Sequence, residues 1–176
     1  MSYICKKPNL LMSELTIRLI NEKDDAKIAS IIRESLLEFD APEAGSALGD
    51  AELDYMTKAF SEEKSAYFIA EEDGKILGGA GIASLDTSDE ETCELRKMYL
   101  SQNSRGKGIG AALMQACLNQ AQFFGYKFCY IETFPSMRDA QKLYVKAGFY
   151  YLNSSKGSTG HTACTVWLQK ELSDGN

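Results

Sequence analysis

The apolar positions up to Leu100 follow the short period of β-strands, with one helical segment between them. Leu15 to Leu19 alternates apolar and polar residues, and Ala66 to Glu71 and Ile76 to Leu85 are joined by a turn with Asp-Gly at its centre. Thr92 to Leu100 continues the strand pattern. In contrast, Ile28 to Phe39 places its apolar residues on one helical face behind an acidic start.

After the predicted strand that ends at Leu100, helical segments alternate with strands. Ala111 to Ala121 is predicted as an amphipathic helix, Phe128 to Thr133 as a strand covered on both faces, and a further helix ends at Gly148 before two short strands. We therefore predict an α/β fold with a mixed, mostly antiparallel sheet of six to seven strands and helices on both faces. Residues 14–176 form one domain, and residues 1–13 form an N-terminal extension, loosely docked or disordered.

The glycine loop, residues 105–110, connects a predicted strand to the helix that follows it. Its sequence is Arg-Gly-Lys-Gly-Ile-Gly, with glycine at every second position. Without Cβ atoms the backbone lies open to a bulky anion, and the unpaired N–H groups of the first helical turn point toward it. The helix dipole and the charges of Arg105 and Lys107 favour the same ligand. The loop is therefore predicted to bind a phosphate or pyrophosphate.

A second motif, Ala140-x-x-x-Tyr144-x-x-x-Gly148-Phe149, follows the glycine loop after about forty residues. With the strand before the loop, the two motifs resemble the coenzyme-A-binding core of the GNAT superfamily of N-acetyltransferases, over roughly Cys93 to Leu152. The resemblance implies acetyl coenzyme A as co-substrate and no metal. It also implies direct transfer of the acetyl group, in a ternary complex, to a primary amine of a small molecule or peptide.

The same resemblance gives roles to individual residues. Backbone amides of the glycine loop are expected to bind the pyrophosphate, and the strand before the loop is expected to splay from its neighbour and pair with the pantetheine arm. Tyr144 is expected near the thioester sulfur, because a phenol with a pKa near ~10 suits protonation of a leaving thiolate. The expected cofactor contacts are Met98, Tyr99, Leu100, Arg105, Gly106, Lys107, Gly108, Ile109, Gly110 and Tyr144.

The residue that removes the amine proton is left open by the sequence. Glu94 lies on the strand before the loop, where several members of the resembling family carry a catalytic glutamate, and Tyr144 with Glu94 is the predicted catalytic pair. Glu132, at the end of the next strand, is the competing candidate. An amine can also lose its proton to water without a dedicated base.

The acceptor amine itself is not indicated by any motif. By the resemblance, the region from Asp24 to Phe60 lines the acceptor pocket, which makes Phe39, Asp40, Glu43 and Tyr55 candidates for substrate contacts. The family's usual asparagine before the tyrosine helix is replaced by Met137, so that cofactor contact is in doubt. His161, beside Gly160 near the end of the chain, could reach the acceptor site, although a lone histidine in a polar loop is usually exposed and inert.

Two other functions fit part of the pattern. Gly106-x-Gly108-x-x-Ala111 also matches a dinucleotide-binding fingerprint, with Glu132 as the ribose-binding acid, but too few βα units follow it. A coenzyme-A-binding sensor without transferase activity would keep the glycine loop, although the presence of Tyr144 argues against it.

Composition narrows the partners. A chain of 176 residues, 44% hydrophobic, suits one globular domain. The net charge of -6 without a basic run argues against a nucleic-acid partner and weakly favours amines. No apolar run approaches the ~20 residues of a membrane helix. Five cysteines without a C-x-x-C pair indicate reduced thiols of a cytoplasmic protein. Whether the protein is a monomer or a homodimer is left open.

Overall fold

The computed structural model describes residues 14–85 and 90–172, and the predicted extension 1–13 lies outside this range. Seven strands form one sheet in the order β1-β2-β3-β4-β5-β7-β6. The strands are β1 (Thr16–Leu19), β2 (Ala66–Glu72), β3 (Lys75–Ser84), β4 (Thr92–Leu100), β5 (Phe128–Thr133), β6 (Tyr150–Tyr151) and β7 (Val166–Glu171). The helices are α1 (Asp25–Glu38), α2 (Met56–Ala59), α3 (Ile109–Phe123) and α4 (Arg138–Lys146), with short 3-10 turns before α1, α2 and α3.

The pairing of the strands confirms the predicted fold class. Every neighbouring pair in the sheet is antiparallel except β4 and β5, which run parallel. The parallel step needs a crossover, and α3 with the glycine loop supplies it. The loop therefore lies at the C-terminal end of β4, next to the parallel pair of strands in the described sheet.

Two apolar clusters cover the two faces of the sheet. Residues of α3 such as Leu113 and Cys117 pack on one face with Tyr144 and Phe149. Residues of α1 such as Ile28 and Ile32 pack on the other face, together with the segment that contains α2. Successive residues of a strand point to opposite faces, so neighbouring positions of β4 contribute to different clusters. The helices thus lie on both faces, as the sequence predicts.

Glycines in β3 make room for a buried tyrosine that shapes β4. A Cβ atom at Gly79 or Gly81 would collide with the ring of Tyr67, which is 1% exposed. The Tyr67 hydroxyl donates a hydrogen bond of 2.8 Å to the carbonyl oxygen of Lys97. At that point two residues of β4, Lys97 and Met98, lie opposite one residue of β3, and Lys97 has φ 50°. This bulge re-aims the side chains of β4.

The cysteines that the structure describes have free, buried thiols. Cys93, Cys117, Cys129 and Cys164 are free and buried, and Cys5 lies outside the described residues. Within residues 14–85 and 90–172, every helix is too short or too polar to cross a membrane.

Candidate active site

The strands β4 and β5 separate at the centre of the sheet. Their pairing covers Thr92 to Glu94 on β4 and Phe128 to Tyr130 on β5, and β4 then continues to Leu100 beside β3 alone. The β5-facing edge of the last β4 residues is therefore not used by the ladder of the described strands. Because an unpaired strand edge offers N–H and C=O groups in a regular row, an extended ligand can pair with it. This separation agrees with the expected splay.

The glycine loop bends twice before α3 begins. Gly106 has φ 73° and Gly108 has φ 83°, both in the left-handed region that glycine adopts without strain. Gly108 is the N-cap of α3, and its carbonyl oxygen accepts a bond of 3.1 Å from the N–H of Ala112. The N–H groups of the preceding turn, Ile109 to Ala111, have no intrahelical acceptor in an α-helix. They lie at the positive end of the helix dipole, as an anion site requires.

The side chain of Arg105 lies on α1 rather than over the glycine loop. Its guanidinium forms an ion pair of 2.7 Å with Glu38 and a hydrogen bond of 3.3 Å with the Ser35 hydroxyl. The ring of Phe39 lies 5.6 Å from the guanidinium carbon. The Arg105 hydrogen bond lowers the pKa of Glu38, which keeps this carboxylate charged. The Arg105 side chain, whose charge is predicted to favour the pyrophosphate, therefore contacts α1 in this structure.

Met98, Tyr99 and Leu100 lie on the free part of β4. Met98 and Leu100 pack on the α3 face, where both approach Gly110, and Tyr99 packs on the α1 face. The Leu100 carbonyl oxygen already accepts hydrogen bonds of 3.2 Å from the Ser35 hydroxyl and from Arg105 Nε. Main-chain pairing with a ligand is therefore predicted mainly for Met98 and Tyr99.

Tyr144 points from α4 into the protein interior, where it is 5% exposed. Its ring packs against that of Phe149, with centroids 6.1 Å apart. Burial, followed by the neighbouring thiols of Cys164 and Cys129, raises the pKa of Tyr144 above its usual value. The phenol therefore carries its proton at neutral pH. The pKa of Tyr99 is raised in turn by burial, Cys164 and Tyr144, which places these three side chains in one neighbourhood.

Glu94 is the most deeply buried acid of the candidate site, with 6% of its surface exposed. It is the last β4 residue paired with β5, opposite Tyr130. Burial raises the pKa of Glu94 to about 7; the charge of Arg96 opposes the shift and that of Glu132 adds to it. Arg96 Nε lies 3.5 Å from a Glu94 oxygen but, among the described residues, has no hydrogen-bond partner. A carboxyl with a pKa near neutrality can both take and release a proton.

Glu132 and His161 lie beside Glu94 and form with it a carboxylate–histidine cluster. One carboxylate oxygen from each glutamate and one ring nitrogen of His161 all lie within 4.8 Å of one another. Glu132 accepts hydrogen bonds of 2.7 Å from both the Tyr130 and Thr159 hydroxyls, one on each oxygen. The two predicted base candidates are thus neighbours, and His161, whose role the sequence left open, belongs to the same group.

A charged network continues from this cluster across the α1 face. His161 Nε2 lies 3.1 Å from an oxygen of Asp50, and the same oxygen accepts a bond of 2.5 Å from Lys97 Nζ. Lys97 also pairs with Glu52 at 2.7 Å, although its side chain is only 1% exposed. Burial alone would raise the pKa of Asp50, but the bonds from His161 and Lys97 outweigh it and hold that pKa below its usual value. Asp50 is therefore a fixed negative charge.

Sequence patterns did not indicate Asp50, Glu52 or Lys97 as members of the site, and they left the part of His161 open. Each is a common polar residue in an irregular segment or strand, and only the bulge and the folded loops bring the four together. The acceptor contacts expected from the sequence form no hydrogen bond or ion pair with this network among the described residues. Tyr55 is 64% exposed, Asp40 and Glu43 are exposed, and Phe39 lies against Arg105. A trace in the sequence is Lys97, which interrupts the alternation of apolar and polar residues within the predicted strand Thr92 to Leu100.

Comparison with known proteins agrees with this geometry. The family model for the Acetyltransferase (GNAT) family matches residues 33–149. The uncharacterised N-acetyltransferase YjgM of Escherichia coli K12 is 34% identical over 165 residues, which are 93% of this chain and 99% of that protein.

Solved structures of low sequence identity show the same fold. An acetyltransferase of the GNAT family from Staphylococcus aureus Mu50 superposes with a TM-score of 0.80 at 16% identity, over 91% of this chain and all of that one. A GNAT superfamily phosphinothricin acetyltransferase from Sinorhizobium meliloti, solved in complex with AcCoA, gives 0.75 at 23% identity, over 92% and 90% of the two chains. With the family model and the long E. coli match, these structures establish that the chain belongs to the GNAT acetyltransferase family.

Proposed function

We propose that this protein transfers the acetyl group of acetyl coenzyme A to a primary amine by direct attack in a ternary complex. The observation that carries the proposal is the end of the β4–β5 pairing at Glu94. It leaves the β4 edge open between two chemically different groups, the glycine loop and the carboxylate–histidine cluster. A long thioester fits along such an edge, with its diphosphate at the loop and its acyl group toward the cluster.

The glycine loop is suited to the diphosphate because it recognises charge through the main chain. Gly106 and Gly108 are exposed, and a Cβ atom at either would meet no heavy atom within 4 Å, so the approach to the backbone is open. The amides of Ile109 and Gly110 add the N–H groups of a helix N-terminus. The S. meliloti relative was solved with AcCoA, and its fold is shared by this chain, which supports the same donor here.

The acceptor side is suited to a cationic amine. The cluster brings the carboxylates of Glu94 and Glu132 within 4.8 Å of each other, and Asp50 adds a third carboxylate behind His161. An ammonium group approaching this site exchanges hydration for carboxylate oxygens, which also bind the proton that it must lose. Membership of the family supports a small molecule or a peptide as the acceptor in this proposal.

The chemical steps then fall to two residues of the chain. Glu94 takes a proton from the ammonium, which frees the nitrogen lone pair to attack the thioester carbonyl carbon. The C–N bond forms, the C–S bond breaks, and the departing sulfur receives the Tyr144 proton. The nitrogen, which is cationic after the attack, gives its second proton to the Tyr144 phenolate and becomes the neutral amide. Burial favours the neutral form of Tyr144, so the phenol is loaded with its proton before transfer and regains it afterwards.

The test is thiol release from acetyl coenzyme A by the purified protein across a panel of primary amines. The panel covers amino acids, polyamines, aminoglycosides and peptides with a free N-terminus. We expect saturable release with at least one class, and initial-rate lines that intersect when both substrates are varied. Saturable coenzyme A binding without turnover would support a sensor instead, and would overturn the proposal.

Direct attack has its own check. Incubation with acetyl coenzyme A alone should leave the intact mass of the protein unchanged, because no side chain is acetylated on the path. A stoichiometric acetyl adduct that an amine discharges, with parallel initial-rate lines, would replace the ternary complex by a covalent intermediate. Cys164 would be the first residue to inspect, although burial, followed by the nearby carboxylates, raises the pKa of its thiol to about 12 and makes it a poor nucleophile.

A further inference from the structure

The proposed reaction releases one proton per turnover, and the site must dispose of it. An ammonium acceptor brings three protons on nitrogen; one stays on the amide, one ends on the coenzyme A thiol, and one leaves to solvent. In the proposed mechanism that last proton first resides on Glu94. Since Glu94 is 6% exposed, a neighbouring group must carry the proton outward before the next cycle. This inference rests on the proposed function.

Three of the groups near Glu94 cannot accept a proton. The Arg96 guanidinium, 3.5 Å away, is permanently protonated and has no acceptor atom. The Cys164 thiol is 9% exposed and stays protonated at neutral pH because burial raises its pKa to about 12. Lys97 is a cation fixed between Asp50 and Glu52. The candidates that remain in the cluster are Glu132 and His161.

Both oxygens of Glu132 already accept hydrogen bonds. The Tyr130 hydroxyl donates to one oxygen and the Thr159 hydroxyl to the other, both at 2.7 Å. A proton placed on Glu132 would break one of these bonds or force a hydroxyl to turn. Glu132 is therefore a poorer proton carrier than a group with a free lone pair.

His161 has the geometry of a carrier. Its side chain is 14% exposed, so it lies between the buried Glu94 and the outside. Asp50 accepts the Nε2–H at 3.1 Å, which leaves Nδ1 as the ring nitrogen with a lone pair. The atoms of the cluster are no more than 4.8 Å apart, a distance that one bridging water spans. The charged groups around the ring are Glu94 and Lys97 from β4, Glu132 from β5, and Asp50.

We propose that His161 is the proton relay of this site: it takes the acceptor proton from Glu94 and passes it to solvent, with Asp50 as the positioning residue. Asp50 fixes the orientation of the ring and stabilises the imidazolium that forms for an instant. Lys97 in turn fixes Asp50, so the β4 bulge is connected to proton release. The loop between β6 and β7 thereby contributes to the reaction and does not only cover the sheet.

The experiment compares thiol release by wild type and the His161→Ala variant near pH 7, with and without added imidazole. We expect kcat to fall about ten-fold or more, with KM for both substrates within about two-fold, because the variant still binds but resets slowly. Added imidazole should restore kcat of His161→Ala saturably and leave wild type unchanged. Ser158→Ala, an exposed change in the same loop, is the matched control and should behave as wild type.

Each outcome of these assays supports or contradicts His161 as the proton relay. An unchanged kcat in a folded His161→Ala protein, or a loss that imidazole does not restore, would overturn it. If the alanine variant does not fold, His161→Gln takes its place: glutamine can still bond to Asp50 but cannot carry a proton, so wild-type activity in it would reduce His161 to a structural role. Imidazole rescue of Glu132→Gln in place of His161→Ala would move the relay to Glu132. Wild type without any thiol release would instead overturn the proposed function itself.

Discussion

The two sides of the β4 edge that we propose for the donor and the acceptor offer different groups to a ligand. On the donor side, the glycine loop and the free β4 edge offer main-chain N–H and C=O groups, and side chains contribute little. On the acceptor side, side chains from four separate segments form a buried network of carboxylates, a lysine and a histidine. Backbone recognition depends on conformation, whereas a side-chain network depends on distances between residues far apart in the chain.

The difference predicts how each side responds to mutation. A change in the glycine loop should alter donor affinity with little effect on the chemical step. A change in the network should alter the chemical step and its pH dependence, because every member sets the charge of a neighbour. Tyr144 lies where the two sides meet, so it should give the largest effect.

Replacement of Tyr144 by phenylalanine removes the proposed acid and keeps the ring against Phe149. We expect kcat to fall about 10²- to 10³-fold with KM for acetyl coenzyme A nearly unchanged, as for loss of a general acid. Steady-state thiol release measures both. Tyr151→Phe, at a position that is 55% exposed, is the control for loss of a hydroxyl. Equal kcat in the two variants would remove Tyr144 from the chemistry.

Replacement of Glu94 by glutamine tests the acceptor side. The carboxylate must be unprotonated to act as base, so wild-type kcat/KM should fall as the pH drops below about 7, the pKa of Glu94. The variant should be about 10²-fold slower and should lack this inflection. A wild-type profile that the variant reproduces in shape would assign the inflection to another group, with Glu132 or the amine as the next candidates.

The same variant should be more stable than wild type over part of the pH range. The pKa of Glu94 is higher in the folded protein than in the unfolded chain, so ionisation costs folding free energy. The penalty grows from about pH 4, where the unfolded chain begins to lose the proton, and is complete above about pH 7. Glu94→Gln should therefore raise Tm above pH 7 and leave it nearly unchanged below pH 4. The opposite order would mean that burial does not dominate at Glu94.

Two glycines at the ends of α3 separate conformation from binding on the donor side. Gly108 (φ 83°) and Gly125 (φ 84°) have the same left-handed backbone, and a Cβ atom at either meets nothing within 4 Å. Alanine at each should cost the same ~1–2 kcal/mol of stability. Only Gly108→Ala should also raise KM for acetyl coenzyme A, by about ten-fold, because only Gly108 lies at the proposed diphosphate site. Equal KM values would contradict that site.

The smallest expected effect concerns Arg105 and its partner Glu38. Because the guanidinium lies on α1, Arg105 should influence donor binding by holding the loop in place. Arg105→Gln and Glu38→Gln should then raise KM for acetyl coenzyme A by a similar two- to five-fold, as expected for a partly exposed ion pair. A much larger effect of Arg105→Gln would mean that the side chain turns to the diphosphate when the donor binds.

Much of the donor side was predictable from the sequence because its determinants are local. The run of alternating glycines, the helix after it and the tyrosine helix later in the chain each have a fixed geometry that short segments specify. The strands and their order along the chain followed from the same periodicity, whereas their order in the sheet was read from the structure. The position of the Arg105 side chain was not predictable, because it depends on Glu38, 67 residues away.

The sequence by itself determined the fold class, since hydrophobic period and glycine spacing act over a few residues, and it indicated the proposed anion site at a helix terminus and the two candidate bases. Only the tertiary structure decided which polar residues share a pocket. Glycines in β3 admit Tyr67, Tyr67 holds the Lys97 bulge, and Lys97 gathers Asp50 and so His161. Each of these contacts joins segments with no common pattern, and burial of charge gives them their chemical effect.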